Sequence, residues 1–138
     1  MAVTKQSILI LTSDAEFSAQ CGESLEKRFH VDVESIDQAE IKRVKHDEIC
    51  PVLFIWDARE RPFKWLEIIS WMRDYSGRPI IAVTQSDDDE MRQDLYRHGV
   101  QIQLDIDSPS FFKSLQVHIF AVLLDAEKGK CEVLGNGV

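Results

Sequence analysis

The chain of 138 residues has the length of a single domain, with 44% hydrophobic and 29% charged residues. This composition is typical of a globular protein with its own core. With 16 Lys and Arg against 24 Asp and Glu, the net charge is −8, which argues against a surface that follows nucleic-acid phosphates. No apolar run approaches the length of about 20 residues that a membrane helix needs.

The three cysteines are odd in number and contain no C-x-x-C pair. They therefore predict neither a zinc site nor a disulfide framework. The first residues, with one lysine and a short apolar run that soon reaches Asp14, do not have the pattern of a signal peptide. We expect a cytoplasmic protein that has no direct contact with nucleic acid or membrane.

Five short apolar runs are typical of strands that are covered on both faces. In chain order they are Ile8–Leu11, Val31–Val33, Val52–Trp56, Ile80–Val83 and Ile102–Ile106.

The stretches between these runs repeat apolar residues at helical spacing. The repeats are Phe17, Cys21, Leu25 and Phe29; a weak one over 37–49; Trp65, Ile68, Ile69 and Met72; Met91 and Leu95; and Phe111, Leu115, His118, Ile119 and Val122. Asp14 is predicted to cap the first helix. The acids of Asp87–Glu90 are predicted to cap the helix that contains Met91 and Leu95, and Ser108 with Pro109 is predicted to begin the last helix.

This alternation predicts an α/β fold with a five-stranded parallel sheet, doubly wound with helices on both faces, of the flavodoxin-like type. The predicted domain covers residues 1–126. Residues 127–138 hold three of the six glycines and lose the periodicity. They are predicted to be a tail or the start of a linker.

Ligands of such sheets bind at the carboxyl ends of the strands, where the strand order reverses. The polar residues predicted at that edge are Thr12, Ser13 and Asp14, then Asp57, Thr84, and the acids of Asp105–Asp107. Asp57 is the most informative, because an acid that ends the run Val52–Trp56 is costly to bury unless it is paired or ligated.

With Phe-Ile-Trp-Asp57, Ile-Ile-Ala-Val-Thr84 and His98-Gly99-Val100, residues 7–126 resemble the CheY-like receiver domains of bacterial response regulators. The resemblance implies a role in two-component phosphorelay signalling. It implies that Asp57 accepts a phosphoryl group from a histidine kinase and that Thr84 supplies the switch hydroxyl.

The match is partial. Thr12 and Ser13 stand where the family has two acids that hold Mg²⁺, and Gln103 stands where it has a switch aromatic. The position of the family lysine falls at Ile106, or at Ser108 if two residues are inserted. Because hydroxyls are poor substitutes for the carboxylates that usually hold Mg²⁺, we expect no metal or other cofactor unless Asp57 is a working phosphoacceptor.

Two arginines follow the acceptor position. We hypothesise that Arg59 or Arg61 pairs with Asp57 and takes the place of the metal charge, which would hold the pocket in one state. The alternative is that both arginines are solvated in a loop. Asp14 is interpreted mainly as a helix cap, with a substitute acid for the metal as the alternative.

The sequence therefore favours a pseudo-receiver, a receiver-like domain that is not an enzyme and that signals through protein contact. Its partner would be a histidine kinase, an output domain or another signalling protein, and the apolar last helix would suit a homodimer. A second hypothesis is an atypical but phosphorylatable receiver that uses Asp57 with Asp14 or Glu60. A third is a flavodoxin-like module that binds a small molecule.

Overall fold

The computed structural model describes residues 6–37, 51–60, 65–74, 78–85, 87–100 and 102–126. The elements, in chain order, are β1 (Gln6–Leu11), α1 (Ala15–Arg28), β2 (Val31–Ile36), β3 (Pro51–Asp57), α2 (Trp65–Arg73), β4 (Ile80–Thr84), α3 (Asp89–Arg97), β5 (Ile102–Asp105) and α4 (Phe111–Ala126). A short 3-10 helix, Ala58–Glu60, follows β3 directly. Residues 38–49 of the helix predicted over 37–49, the predicted tail over 127–138 and Arg61 lie outside the described residues.

The five strands form one sheet in the order β2-β1-β3-β4-β5, and every neighbouring pair is parallel. The predicted doubly wound sheet is therefore confirmed. The central strand β3 is buried along almost its whole length, as its continuous apolar sequence predicts.

Two hydrophobic layers cover the two faces of the sheet. One layer joins α1 and α4 to the sheet through Phe17, Cys21, Leu25, Phe111, Leu115 and Ile119. The other joins α2 and α3 through Ile68, Ile69, Met72, Met91 and Leu95. These buried residues are those that the helical spacing selects.

Two of the three predicted helix starts are confirmed. The carboxylate of Asp14 accepts a hydrogen bond from the amide of Phe17, and that of Asp88 accepts one from Met91, both at 3.0 Å. Gly99, with φ +84°, lies just beyond the end of α3, where few side chains tolerate the backbone conformation.

The predicted start of the last helix is wrong by two residues. The helix α4 begins at Phe111, not at Ser108 and Pro109. The amide of Phe111 donates to the carbonyl of Ser108 at 3.1 Å, so residues 108–111 form a tight turn before the helix. The first bond of α-helical spacing runs from Ser114 to the carbonyl of Ser110.

Trp71 packs against the core, although its position lies off the apolar stripe of α2. Its ring lies edge-on to that of Phe54, with 5.9 Å between the centroids, and the residue is partly buried. In the described part of the chain, no helix has both the length and the apolar character that spanning a membrane requires.

Candidate functional site

The polar residues of the predicted site meet at the carboxyl ends of β1 and β3. These two strands are neighbours in the sheet but not in the sequence, so the strand order reverses between them. Thr12 follows β1 directly and Asp57 is the last residue of β3. The Asp57 side chain is 0% exposed, so its position demands compensating partners.

Arg59 is a bidentate partner of Asp57. The short 3-10 helix turns the chain back so that the Arg59 amide donates to Asp57 Oδ1 at 3.2 Å. The guanidinium then donates from Nε to Oδ1 and from Nη2 to Oδ2, both at 2.8 Å. This is the bidentate arrangement that makes arginine–carboxylate pairs short and strong.

Thr12 and Asp14 also contact this pair. The Thr12 hydroxyl donates to Asp57 Oδ2 at 2.7 Å and accepts from the Asp14 amide at 3.0 Å. While one oxygen of Asp14 caps α1, Asp14 Oδ2 lies 3.4 Å from Arg59 Nη2. Asp14 therefore caps the helix and also contacts the arginine.

The residues predicted for the switch and lysine positions form backbone contacts. The buried Thr84 donates its hydroxyl to the Leu104 carbonyl at 3.5 Å. Ile106 donates its amide to the Thr84 carbonyl at 2.9 Å, and its side chain packs against the core layer of α1 and α4. Gln103 donates from Nε2 to the carbonyls of Arg92 and Val100, at 3.0 and 3.2 Å.

A polar cavity of about 310 Å³ opens beside the pair and is lined by Ser13, Asp14, Asp57, Arg59 and Gln85. Gln85 was not among the predicted site residues, although it is the residue that follows β4. Phe17 was also missed. Its ring lies 5.0 Å from the Arg59 guanidinium carbon, a cation–π contact that its place one turn after Asp14 could have suggested.

The pKa values of two side chains in and beside the pocket, Arg59 and Cys21, are raised. Hydrogen bonds to Asp57 raise the pKa of the Arg59 guanidinium above its usual range, so this side chain stays charged. Burial raises the pKa of the Cys21 thiol to about 12, and the charge of Asp57 contributes. Cys21 is therefore not a nucleophile at neutral pH.

The donor set around Asp57 does not fit Mg²⁺ as it stands. Both Asp57 oxygens receive hydrogen bonds from Arg59, and Oδ2 also receives one from Thr12. Mg²⁺ needs oxygen ligands in near-octahedral geometry at about 2.1 Å, and a guanidinium already lies among these oxygens. Among the described residues, no three His, Cys, Asp or Glu side chains cluster as metal ligands would.

The contact between Asp14 and Arg59 predicts a pH-dependent stability. The amide of Phe17, and then the charge of Arg59, lower the pKa of Asp14 below its ordinary value of 3.8. A carboxyl group with a lowered folded-state pKa stabilises the fold above its unfolded pKa and loses that effect as the pH falls through its folded value. We expect Asp14→Asn, which keeps a good helix cap, to be less stable than wild type at pH 6.

Urea unfolding from pH 6 downward checks this prediction. The difference between wild type and Asp14→Asn should shrink once the pH falls below 3.8. Glu16→Gln is the control, because Glu16 lies in the same helical turn and accepts a hydrogen bond from Gln20. A difference for Asp14→Asn that stays constant over this range would contradict the prediction.

Comparisons with known proteins concern mainly the fold. The sequence matches no family model and no curated protein. Among solved structures, the chain is similar to the crystal structure of a CheY-like response regulator from Mesorhizobium loti, with a TM-score of 0.68 and 17% identity. The similarity covers 86% of this chain and 99% of the other, and it supports the receiver type of fold that the resemblance implied.

Proposed function

We propose that this chain is a receiver-like domain of two-component signalling that works by protein contact and is not an enzyme. In this pseudo-receiver, phosphoryl chemistry at Asp57 is lost or reduced. The fold and the place of Asp57 at the end of β3 support the receiver part of the proposal. The pairing of the Asp57 carboxylate with Arg59 supports the loss or reduction of phosphoryl chemistry.

The observation that carries the proposal is the bidentate pair between Asp57 and Arg59. A phosphoacceptor must present a carboxylate oxygen to the incoming phosphorus, with cations ready to neutralise the transferred charge. Here both oxygens already accept from Arg59, and Thr12 stands in place of an acid. Neither residue predicted for the family lysine position, Ile106 or Ser108, is a cation, and the Ile106 side chain packs on the core.

The two switch positions support the same conclusion. Thr84 donates to a β5 carbonyl, and Gln103 ties β5 to carbonyls of α3 and of the loop after it. These hydrogen bonds hold both side chains against the backbone. A domain with this arrangement is suited to present one stable surface to its partner.

We propose a second copy of this chain as the partner of α4. The buried residues of α4 face the sheet. A second apolar stripe on the same helix faces outward and consists of Val117, Phe120, Ala121 and Leu124. Phe120 is 57% exposed, and this stripe contains no charged residue. In a two-fold symmetric interface both subunits use the same patch, and an uncharged apolar stripe can pack against its own copy without burying a charge.

The experiment that tests the proposed function is a Mg²⁺ titration with and without beryllofluoride, a mimic of the phosphoryl group, read by tryptophan fluorescence. Trp56 precedes Asp57, and its ring stacks on Trp65 with 6.4 Å between centroids. We expect no saturable response in the wild-type protein and none in Asp57→Asn. Variants with Trp65→Phe and Trp71→Phe isolate the signal of Trp56.

A saturable response that disappears in Asp57→Asn would contradict the proposal and favour the phosphorylatable receiver. Asp14 and Asp57 border the same cavity, which is the observation that keeps this alternative open. A flavodoxin-like module that binds a small molecule would instead show a response to that molecule which requires neither Mg²⁺ nor beryllofluoride.

A further inference from the structure

We propose that Arg59 permanently occupies the cation position between Asp14 and Asp57, so that the wild-type chain excludes divalent metal ions. The inference deepens the proposed function and rests on it, because it explains why the pocket would be inert. It further implies that removal of the Arg59 side chain exposes a metal site that is hidden in the wild-type protein.

One nitrogen of the Arg59 guanidinium contacts both carboxylates. Arg59 Nη2 lies 2.8 Å from Asp57 Oδ2 and 3.4 Å from Asp14 Oδ2, so this single group bridges the two carboxylates. A metal ion shared by these carboxylates would need the same space, at shorter distances of about 2.1 Å for Mg²⁺. The guanidinium and a metal ion therefore cannot be present together.

The second step is the way in which the guanidinium is held. Its second contact with Asp57, from Nε at 2.8 Å, fixes the plane of the group. The ring of Phe17 lies 5.0 Å from the guanidinium carbon, and the Phe17 amide is itself bound to Asp14. Because these contacts hold one another, displacement of the arginine would break several of them together.

The third step is charge. Asp14 and Asp57 carry two negative charges, and Arg59 leaves a net charge of −1 in the group. Guanidinium is weakly hydrated and matches a carboxylate with two parallel hydrogen bonds, so it suits this partly buried position. Replacement of Arg59 by a neutral side chain removes this charge from between the two carboxylates and clears the space that a divalent ion would occupy.

The test measures Mn²⁺ binding by the loss of the free-ion electron paramagnetic resonance signal. Wild type is compared with Arg59→Gln, with Asp57→Asn/Arg59→Gln, and with Arg97→Gln as a charge-matched control. Arg97 forms an exposed pair with Asp94 on α3. We expect Arg59→Gln to bind one Mn²⁺ at least tenfold more tightly than wild type and Arg97→Gln, and the double variant to lose this gain.

Cooperative thermal unfolding shows whether each variant is folded. Arg59→Met, whose apolar stem can still pack on Phe17, serves as a second variant if Arg59→Gln is unfolded. Wild-type exclusion of Mn²⁺ with no gain in a folded Arg59 variant would overturn this inference and leave the proposed function standing. Mn²⁺ binding by wild type as tight as by the Arg59 variants would overturn the inference and weaken the proposed function as well.

Discussion

Replacement of Arg59 by alanine is expected to lower the free energy of unfolding at pH 7 by about 2 to 3 kcal/mol. The Asp57 carboxylate is 0% exposed and would lose both guanidinium hydrogen bonds, and breaking a buried ion pair from one side is strongly destabilising. The expected loss is smaller than for a fully buried ion pair, because the Arg59 side chain is 21% exposed and solvent screens part of the interaction. Urea unfolding measures the change.

A double-mutant cycle with Asp57→Asn separates the pair from other effects of each substitution. We expect the two losses to be strongly non-additive, with an interaction energy of at least about 1 kcal/mol. Arg97→Ala is the matched control, since its pair with Asp94 is exposed and should contribute less than about 1 kcal/mol. A loss for Arg59→Ala no larger than for the control would mean that Arg59 behaves as a solvated loop residue.

Replacement of Phe120 by glutamate is expected to raise the dissociation constant of the homodimer at least tenfold. The substitution places a charge in the middle of the outward stripe of α4, and two such charges would meet across a two-fold interface. Because Phe120 is 57% exposed in the single chain, the stability of the monomer should change by less than about 0.5 kcal/mol. Sedimentation equilibrium of wild type and variant gives both association states.

Leu66→Glu provides the control for this experiment. Leu66 is 50% exposed on α2, a helix of the opposite sheet face, so the same charge is added at a similar exposed apolar position. The control should leave self-association unchanged. A wild-type protein that is monomeric over the accessible concentration range, or equal effects of the two substitutions, would argue against a second copy as the partner of α4.

The amino-acid sequence predicted the fold class and most of the core. Continuous apolar runs predicted the strands, and β1, β3 and β4 are mainly buried, whereas the edge strand β2 is partly exposed. The helical spacing selected Leu25, Met72 and Leu115, all fully buried. The first four strands are longer than predicted, and β5 ends one residue earlier than predicted. The strand β2 extends to Ile36 through the exposed Glu34, because backbone hydrogen bonds to β1 continue regardless of side-chain polarity.

The candidate site was predictable as a set of residues, because the carboxyl ends of neighbouring parallel strands meet at one edge. The helix caps at Asp14 and Asp88 were also predictable, since they depend on contacts within four residues of the chain. The start of α4 was not, because the turn over residues 108–111 competes locally with helix formation.

What the sequence by itself determined is therefore the layered α/β architecture and the identity of the residues at its carboxyl edge, since both follow from local periodicity. Only the tertiary structure decided how those residues interact. From the sequence alone, Arg59 could equally be a solvated loop residue. It pairs with Asp57 because the 3-10 helix turns it back while Thr12, Asp14 and Phe17, 42 or more positions earlier in the chain, enclose the same space.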